Sequence, residues 1–298
     1  MRFAVLIMWL LHWLPLPILA RIGEGLGSLL YLMLSRRRHI CLTNLRLCFP
    51  QMPESERKKI TRRHFQVYVR SVLERGILWW SSERRLRKLI HVDYAMPMAE
   101  MTSSPTIFMC PHFVSLDVAG VAVMLESSLC SIYTTQRNKT FDKALRNGRS
   151  RFRPVKLFSR SEGVKPIIRA MKENLPFFML PDMDFGAKDA EFVSFFGVPA
   201  ATLTALPRIA AATNAKVIPV VASIRPGYDG WDVKFDHAWE DYPHQDIVDS
   251  TRFMNAYIES EILKMPAEYF WTHRRFKTRP EGVSSVYKNT SQFQDTQH

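Results

Sequence analysis

The chain has 298 residues, 47% hydrophobic and 23% charged, which is enough apolar material for one large domain or two small ones and too much for a disordered chain. Lys and Arg number 41 against 28 Asp and Glu, a formal net charge of +13, so an anionic partner is expected: nucleic acid, an acidic membrane surface or an acidic protein. The four cysteines, Cys41, Cys48, Cys110 and Cys130, form no CxxC pair and no zinc spacing, which argues against a zinc-built fold and for reduced thiols in a cytosol-facing domain.

In chain order, Phe3 to Ala20 carries no formal charge and is interrupted only by His12, Pro15 and Pro17. As one helix these residues reach ~27 Å, about the thickness of a hydrocarbon core. Trp9 and Trp13 suit a membrane interface. A cleaved signal peptide fits less well, because Arg2 alone precedes the apolar run and Leu19-Ala20-Arg21 is a poor cleavage site. A second apolar stretch, Leu26 to Leu34, follows Gly23 and Gly25, includes Gly27, and runs into Arg36-Arg37-Arg38. An uncleaved anchor over residues 1–35 with a basic collar accounts for all of these features, and favours membrane over nucleic acid as the anionic partner.

Residues 36–103 read as a basic helical region. Between Arg36 and Lys88 stand 15 basic and 4 acidic residues, an excess of +11; the alternative to an anion-capturing surface is a solvated helix face. Pro53 with Glu54 and Glu56 opens a helix, because proline suits the first turn and acids favour the N-terminal dipole. Ile60, Phe65, Tyr68, Val69, Val72 and Leu73 follow at helical spacing.

Residues 104–288 alternate short apolar runs with helical patterns. Strands are expected at Thr106–Met109, Ser131–Thr134, Val155–Phe158, Phe177–Leu180, Val217–Ala222 and Trp231–Phe235. Helices are expected at Leu116–Leu125, Phe141–Asn147, Glu162–Lys172, Thr202–Ala212 and Asp249–Lys264. The fold class is therefore α/β, a mixed sheet flanked by helices, preceded by the membrane-anchoring helix and the basic helical region. Residues 289–298 form a polar tail.

Four segments carry candidate chemistry. In Pro111-His112-Phe113-Val114-Ser115-Leu116-Asp117, the histidine falls at a strand-to-helix turn and the aspartate in the first turn of the helix. A general base on a substrate hydroxyl needs such a partner to fix its tautomer and stabilise its cation. No GxSxG elbow is present, so no acyl-enzyme is implied; the bland alternative is a histidine capping a helix beside an unrelated aspartate. Leu180-Pro181-Asp182-Met183-Asp184-Phe185-Gly186 contains an Asp-x-Asp pair that reads as a divalent-metal and diphosphate holder or as an Asx-type turn closed by glycine. Arg137, Asn138, Arg149, Arg151 and Arg153 supply forks suited to phosphate or an oxyanion, or are solvated surface groups. Trp271-Thr272-His273-Arg274-Arg275-Phe276-Lys277-Thr278-Arg279-Pro280 is expected on the surface, where it suits RNA, acidic lipid or acidic protein.

Taken together, these segments resemble the bacterial lipid A biosynthesis acyltransferases of the lysophospholipid acyltransferase superfamily. Asn44-Leu45-Arg46-Leu47-Cys48-Phe49-Pro50 is similar to the family's segment after the anchor, His112 to Asp117 to its H-x4-D box, and Gly148-Arg149-Ser150-Arg151 to its second block. Pro181 to Gly186 with Phe195-Phe196-Gly197-Val198-Pro199-Ala200-Ala201-Thr202 is similar to its third block, Pro219 to the proline of its fourth, and His273 to Gly282 to its C-terminal signature. Pro181-Asp182-Met183-Asp184 stands where glycerol-phosphate acyltransferases carry proline–glutamate–glycine, which disfavours a phospholipid substrate.

The resemblance implies an acyl–acyl carrier protein donor and a Kdo-bearing, phosphorylated lipid A precursor as acceptor, at the cytoplasmic side of the bacterial inner membrane among its phospholipids. No cofactor, no metal and no nucleic acid are expected. His112 is expected as the catalytic base with Asp117 orienting it. Arg149, Arg137, Asn138 and Arg151, with Asp182, Asp184, Phe185 and Gly186, are expected to border the substrate. An acyltransferase for another glycolipid or a lysophospholipid, a metal-dependent glycosyltransferase and a membrane-surface binding module are the alternatives.

Overall fold

The structure is a computed structural model, and it describes residues 2–287; the polar tail at 289–298 lies outside the described residues. The N-terminal apolar stretch is two helices, α1 (Arg2–Leu11) and α2 (Leu16–Met33), and not the single helix expected over Phe3–Ala20. The break has a local cause. Pro15 lacks an N–H and stands in extended conformation as the residue preceding α2, and Pro17 occupies its first turn. The carbonyls of His12 and Leu14 freed by this break both accept from the Arg85 guanidinium.

Next come α3 (Ser35–Cys48), the long α4 (Glu54–Trp80) and α5 (Glu83–Leu89). Pro53 precedes α4, and Glu54 and Glu56 stand in its first turn, as the proline–acid pattern predicts. The stretch 36–103 also supplies β1 (Ile90–Tyr94) and the short α6 (Met98–Met101). β1 escaped the hydrophobic pattern because it is half polar, Ile-His-Val-Asp-Tyr, and gains its partner, β9, only from far along the chain.

The α/β part continues with β2 (Thr106–Met109), α7 (Leu116–Glu126), β3 (Leu129–Tyr133), α8 (Lys139–Gly148), β4 (Val155–Ser159), α9 (Lys165–Lys172), β5 (Phe177–Met179), β6 (Ala190–Phe195), β7 (Val198–Leu203), α10 (Ala205–Thr213), β8 (Lys216–Ile224), β9 (Trp231–Phe235) and α11 (Ile247–Lys264). Each expected strand and helix is present within a few residues of its expected ends, with one correction. Thr202 and Leu203 end an antiparallel hairpin, β6–β7, instead of opening a helix. Thr202 is fully buried against Arg275 and Asn255, and that long-range environment overrides the helical pattern.

Among the described residues the main sheet has seven strands in the order β1-β9-β8-β2-β5-β3-β4. All neighbours are parallel except β8 and β9. Alternate residues along β2 and just beyond it divide the core: Ile107 and Met109 face the cluster with α3, α9, α10 and α11, whereas Phe108 and the following Cys110 face the cluster with α1, α2, α4 and α7. Both faces are buried, as a sheet built by helical crossovers requires. The four cysteines are free and buried.

α2 lies antiparallel along α4, with small residues at the seam. A Cβ on Gly23 would come within 2.5 Å of the Arg70 Cα, and one on Gly27 within 2.5 Å of the Gln66 Cα, whereas one on Gly25 would meet nothing. Gly-to-Ala changes two residues apart in one helix should therefore have opposite signs. Gly25→Ala should stabilise by about 0.5–1 kcal/mol through helix propensity. Gly23→Ala or Gly27→Ala should destabilise by about 1–3 kcal/mol through overpacking. Thermal melts of the three variants in one detergent check this, and equal shifts would mean that the seam is not closed.

Candidate active site

β2 and β5 are parallel neighbours with Met109 opposite Met179. Three residues beyond each strand lie His112 and Asp182, so the register that pairs the strands brings these two to one level at the carboxyl end of the sheet, where a parallel sheet exposes its binding crevice. Asp182 Oδ1 is 2.7 Å from His112 Nδ1, and its oxygens accept the His112 backbone N–H at 3.2 and 3.1 Å. One carboxylate thus grips both the main chain and the ring. With Nδ1 donating, Nε2 carries the free lone pair. Asp182 is 1% exposed. Burial raises its pKa, but the His112 charge and N–H groups outweigh that, and the net shift is downward; the carboxylate stays ionised and able to stabilise an imidazolium. The backbone on the other side of the histidine is fixed as well: Phe270 N donates to His112 O at 3.0 Å and Val114 N to Glu268 O at 2.8 Å.

Asp117 lies in the first turn of α7, as the sequence predicts, but its carboxylate is committed elsewhere. Oδ2 accepts from Arg75 Nε at 2.7 Å and Oδ1 from Arg149 Nη2 at 2.7 Å. Burial pushes its pKa up, and the two guanidiniums more than reverse this, leaving it far below the usual carboxylate range. The expectation that Asp117 orients His112 is therefore corrected: Asp182 holds the ring, and Asp117 holds two arginines at the site. The physical reason is strand order. An H-x4-D spacing fixes only that both groups sit at one strand-to-helix turn, whereas the β2–β5 pairing brings a second carboxylate up to the imidazole. Arg75, on α4, was not among the residues singled out by sequence. It lies 42 residues from its partner, and no local motif marks it.

His112, Arg75 and Arg149 all line a cavity of about 460 Å³ whose remaining wall is largely apolar, including Tyr68, Leu116, Phe141 and Phe270. It adjoins a narrower recess of about 50 Å³ past the Asp117–Arg149 pair, between α7 and the sheet, lined by Gly120, Val121, Met124 and Leu129. Phe185 is 45% exposed at the cavity, with the Arg160 guanidinium 4.0 Å from its ring centre.

The remaining expected site residues divide between framework and surface. Arg137 is exposed. Asn138 caps α8 by accepting from Phe141 N. Arg151 donates to the carbonyls of Leu78, in the last turn of α4, and Ser81, its C-cap, and Arg153 to that of Leu125. Asp184 accepts from Thr278 N at 2.6 Å, Thr278 Oγ1 at 2.7 Å and Gly186 N at 3.0 Å. Together with Gly186 at φ +106 it forms the Asx-type turn. Asp182 and Asp184 thus face different partners instead of converging on one point as a diphosphate-binding metal pair must.

The expectation that Trp271 to Pro280 lies on the surface is also corrected. Trp271, Arg275 and Phe276 are at most 1% exposed. Arg275 donates to Ala201 O and Thr202 Oγ1 on β7. His273 accepts from Asp184 N at 3.1 Å; burial and the nearby positive groups lower its pKa to about 4, so it is the neutral acceptor this bond needs. Counting cations could not reveal this, because the aromatic neighbours that bury them come from elsewhere in the chain. Asp184→Ala leaves three donors without their acceptor and should destabilise by at least about 1.5–3 kcal/mol in thermal unfolding. An unchanged melt with activity lost would move Asp184 from the framework into the chemistry.

Comparison with known proteins shows the family. Residues 2–278 match the family described as bacterial lipid A biosynthesis acyltransferase. The chain is similar to the lipid A biosynthesis palmitoleoyltransferase of Escherichia coli, 31% identical over 96% of this chain and 93% of that protein. It is 30% identical to the E. coli lipid A biosynthesis lauroyltransferase over 94% and 92%, and 32% identical to a lipid A biosynthesis acyltransferase of Haemophilus influenzae over 92% and 89%. A match of this extent, reached over nearly the whole length of each chain, makes the protein a member of the bacterial lipid A biosynthesis acyltransferase family.

Proposed function

We propose that the protein transfers a fatty acyl chain from acyl–acyl carrier protein to the hydroxyl of a 3-hydroxyacyl chain on a Kdo-bearing lipid A precursor, at the cytoplasmic side of the bacterial inner membrane. The observation that carries this reading is a histidine whose Nδ1 is held by a buried carboxylate, at the wall of a largely apolar cavity that Arg75 and Arg149 also line. Family membership supports acyl transfer onto lipid A.

The chemistry follows from these groups. His112 Nε2 takes the proton of the acceptor hydroxyl as its oxygen attacks the thioester carbonyl, and Asp182 stabilises the resulting imidazolium. The carbonyl oxygen gains negative charge, which Arg75 or Arg149 is suited to offset. As the tetrahedral intermediate collapses, the C–S bond breaks and the His112 proton passes to the leaving sulfur. The product is an ester and the free thiol of the carrier. No covalent enzyme intermediate is needed. In this reading Asp117 presents the two guanidiniums, and Arg137 remains free for the acidic carrier or a phosphate of the acceptor.

Cells lacking the protein should make lipid A lighter by one secondary acyl chain, and unchanged lipid A mass would remove the assignment. In purified enzyme, His112→Ala should lower kcat by ~10²–10⁴-fold. Asp182→Asn should have a comparable effect, because an amide facing Nδ1 cannot stabilise the cation. Asp117→Asn should act mainly through KM or through the arginines, with a smaller loss. Near-native turnover in Asp182→Asn beside an inactive Asp117→Asn would return the partner role to Asp117.

The recess beside Gly120 is suited to the end of the acyl chain. A Cβ on Gly120 meets only the Phe178 ring, at 3.9 Å, so larger side chains fit the helix while filling the recess. Gly120→Leu should shift preference toward shorter acyl donors when donors of two lengths compete. An unaltered preference would put the chain elsewhere in the cavity.

A further inference from the structure

By length and composition α2 is a candidate to cross a membrane, yet its surroundings divide it lengthwise into three sectors. Leu16, Leu19, Ala20, Gly23 and Gly27 are buried in the protein, the two glycines against the α4 backbone. Arg21, Glu24 and Ser28 form a polar edge that is also occupied. Glu24 pairs with Arg63 at 2.9 Å and accepts from Tyr228 Oη at 2.9 Å, Ser28 accepts from Gln66, and Arg21 lies over the Tyr228 ring. Ile18, Ile22, Leu26, Leu29 and Met33 form the third sector, at spacings of three and four residues, and all are exposed. α1 continues this surface with Phe3 at 72% and Leu10 at 54% exposed, and Trp13 in the turn is 70% exposed.

A helix crossing the bilayer along its axis would carry its α4 neighbour, with Arg63 and Arg70, into hydrocarbon, or would have to open the glycine seam and strip Glu24 of its partners. Neither is needed if the helix lies flat. α1, at ten residues, is too short to span. A continuous exposed apolar strip of this extent marks a binding surface. The basic residues beginning at Arg36-Arg37-Arg38, immediately after α2, give its border the charge that an anionic lipid surface complements.

We propose that α1 and α2 form an in-plane foot, their shared apolar face sunk into one leaflet of an anionic bilayer and α2 remaining docked on α4, so that the chain is attached to one side of the membrane and does not span it. This does not depend on the acyl-transfer reading.

The test uses the full-length protein reconstituted in phosphatidylcholine vesicles with and without phosphatidylglycerol. Single cysteines introduced as Ile18→Cys, Leu26→Cys and Met33→Cys are spin-labelled for bilayer depth; the four native cysteines are buried, and the three target sites are exposed. An in-plane helix gives the three labels similar depths. A deep label at 26 with shallow labels at 18 and 33 means a spanning helix and overturns the proposal. So does water exposure of all three in the presence of vesicles, and so does protection of all three without lipid in a dimer, which would make the face a contact between copies. The anionic lipid should strengthen binding, and Arg36→Gln with Arg37→Gln should weaken it by roughly fivefold per charge removed. Binding indifferent to both would remove the anionic leaflet as the occupant.

Discussion

The Asp182 carboxylate, buried and ionised, accepts the backbone N–H and the ring N–H of His112, and much of the site depends on that grip. It ties together the chain ends of two adjacent parallel strands. A carboxylate with little access to water is stable there only while those donors stay in place, so the imidazole is held as firmly as the strands. The imidazole is thereby held in one orientation, with Nδ1 engaged and Nε2 left for the cavity, as the proposed role of a general base requires.

Around this bond the C-terminal segment acts as a brace. Residues 268–270 pair with residues 112–114, Thr278 is bound by Asp184, and Arg275 is buried against β7. Asp182 and Asp184, two residues apart, thus serve different ends: one holds the His112 ring and the other holds Thr278 of the C-terminal segment. A neutral His273, kept so by burial and positive neighbours, joins the two by accepting the Asp184 N–H. A sequence of four Lys and Arg residues and a histidine in ten residues looks like an electrostatic surface, but here some of that charge is internal framework, satisfied by main-chain carbonyls and aromatic faces.

α4 links the apolar N-terminal helices to the cavity. One side of the helix receives the glycines of α2, and another presents Arg75 to Asp117 at the cavity wall. The buried Arg70–Glu74 pair sits between these sides, and burial lifts Glu74 to about 7 despite its arginine partner. The basic stretch counted from sequence is correspondingly mixed. Arg85 caps the α1–α2 turn and Arg87 pairs with Glu83 and Glu126, whereas Arg84 and Lys88 stand exposed.

Local chemistry made much of this protein legible from its sequence. Apolar runs bounded by turns mark the inner strands because a doubly covered sheet needs them apolar throughout, and Pro53 followed by two glutamates marks the start of α4 because helix ends have fixed needs. The strand-to-helix turn at His112 and the Asx-type turn at Asp184 follow from the same kind of rule. Prolines 15 and 17 were equally visible and break the helix locally, but the group that satisfies the carbonyls so freed, Arg85, comes from 73 and 71 residues along the chain. The partner of His112 was beyond sequence reasoning, since H-x4-D names the nearest carboxylate along the chain, and only the pairing of β2 with β5 decides which carboxylate is nearest in space. The polar edge strand β1, the burial of Arg275 and the commitment of Asp117 to Arg75 are decided in the same way. Each rests on contacts between residues far apart in the chain, whose energy exists only once the sheet has been ordered.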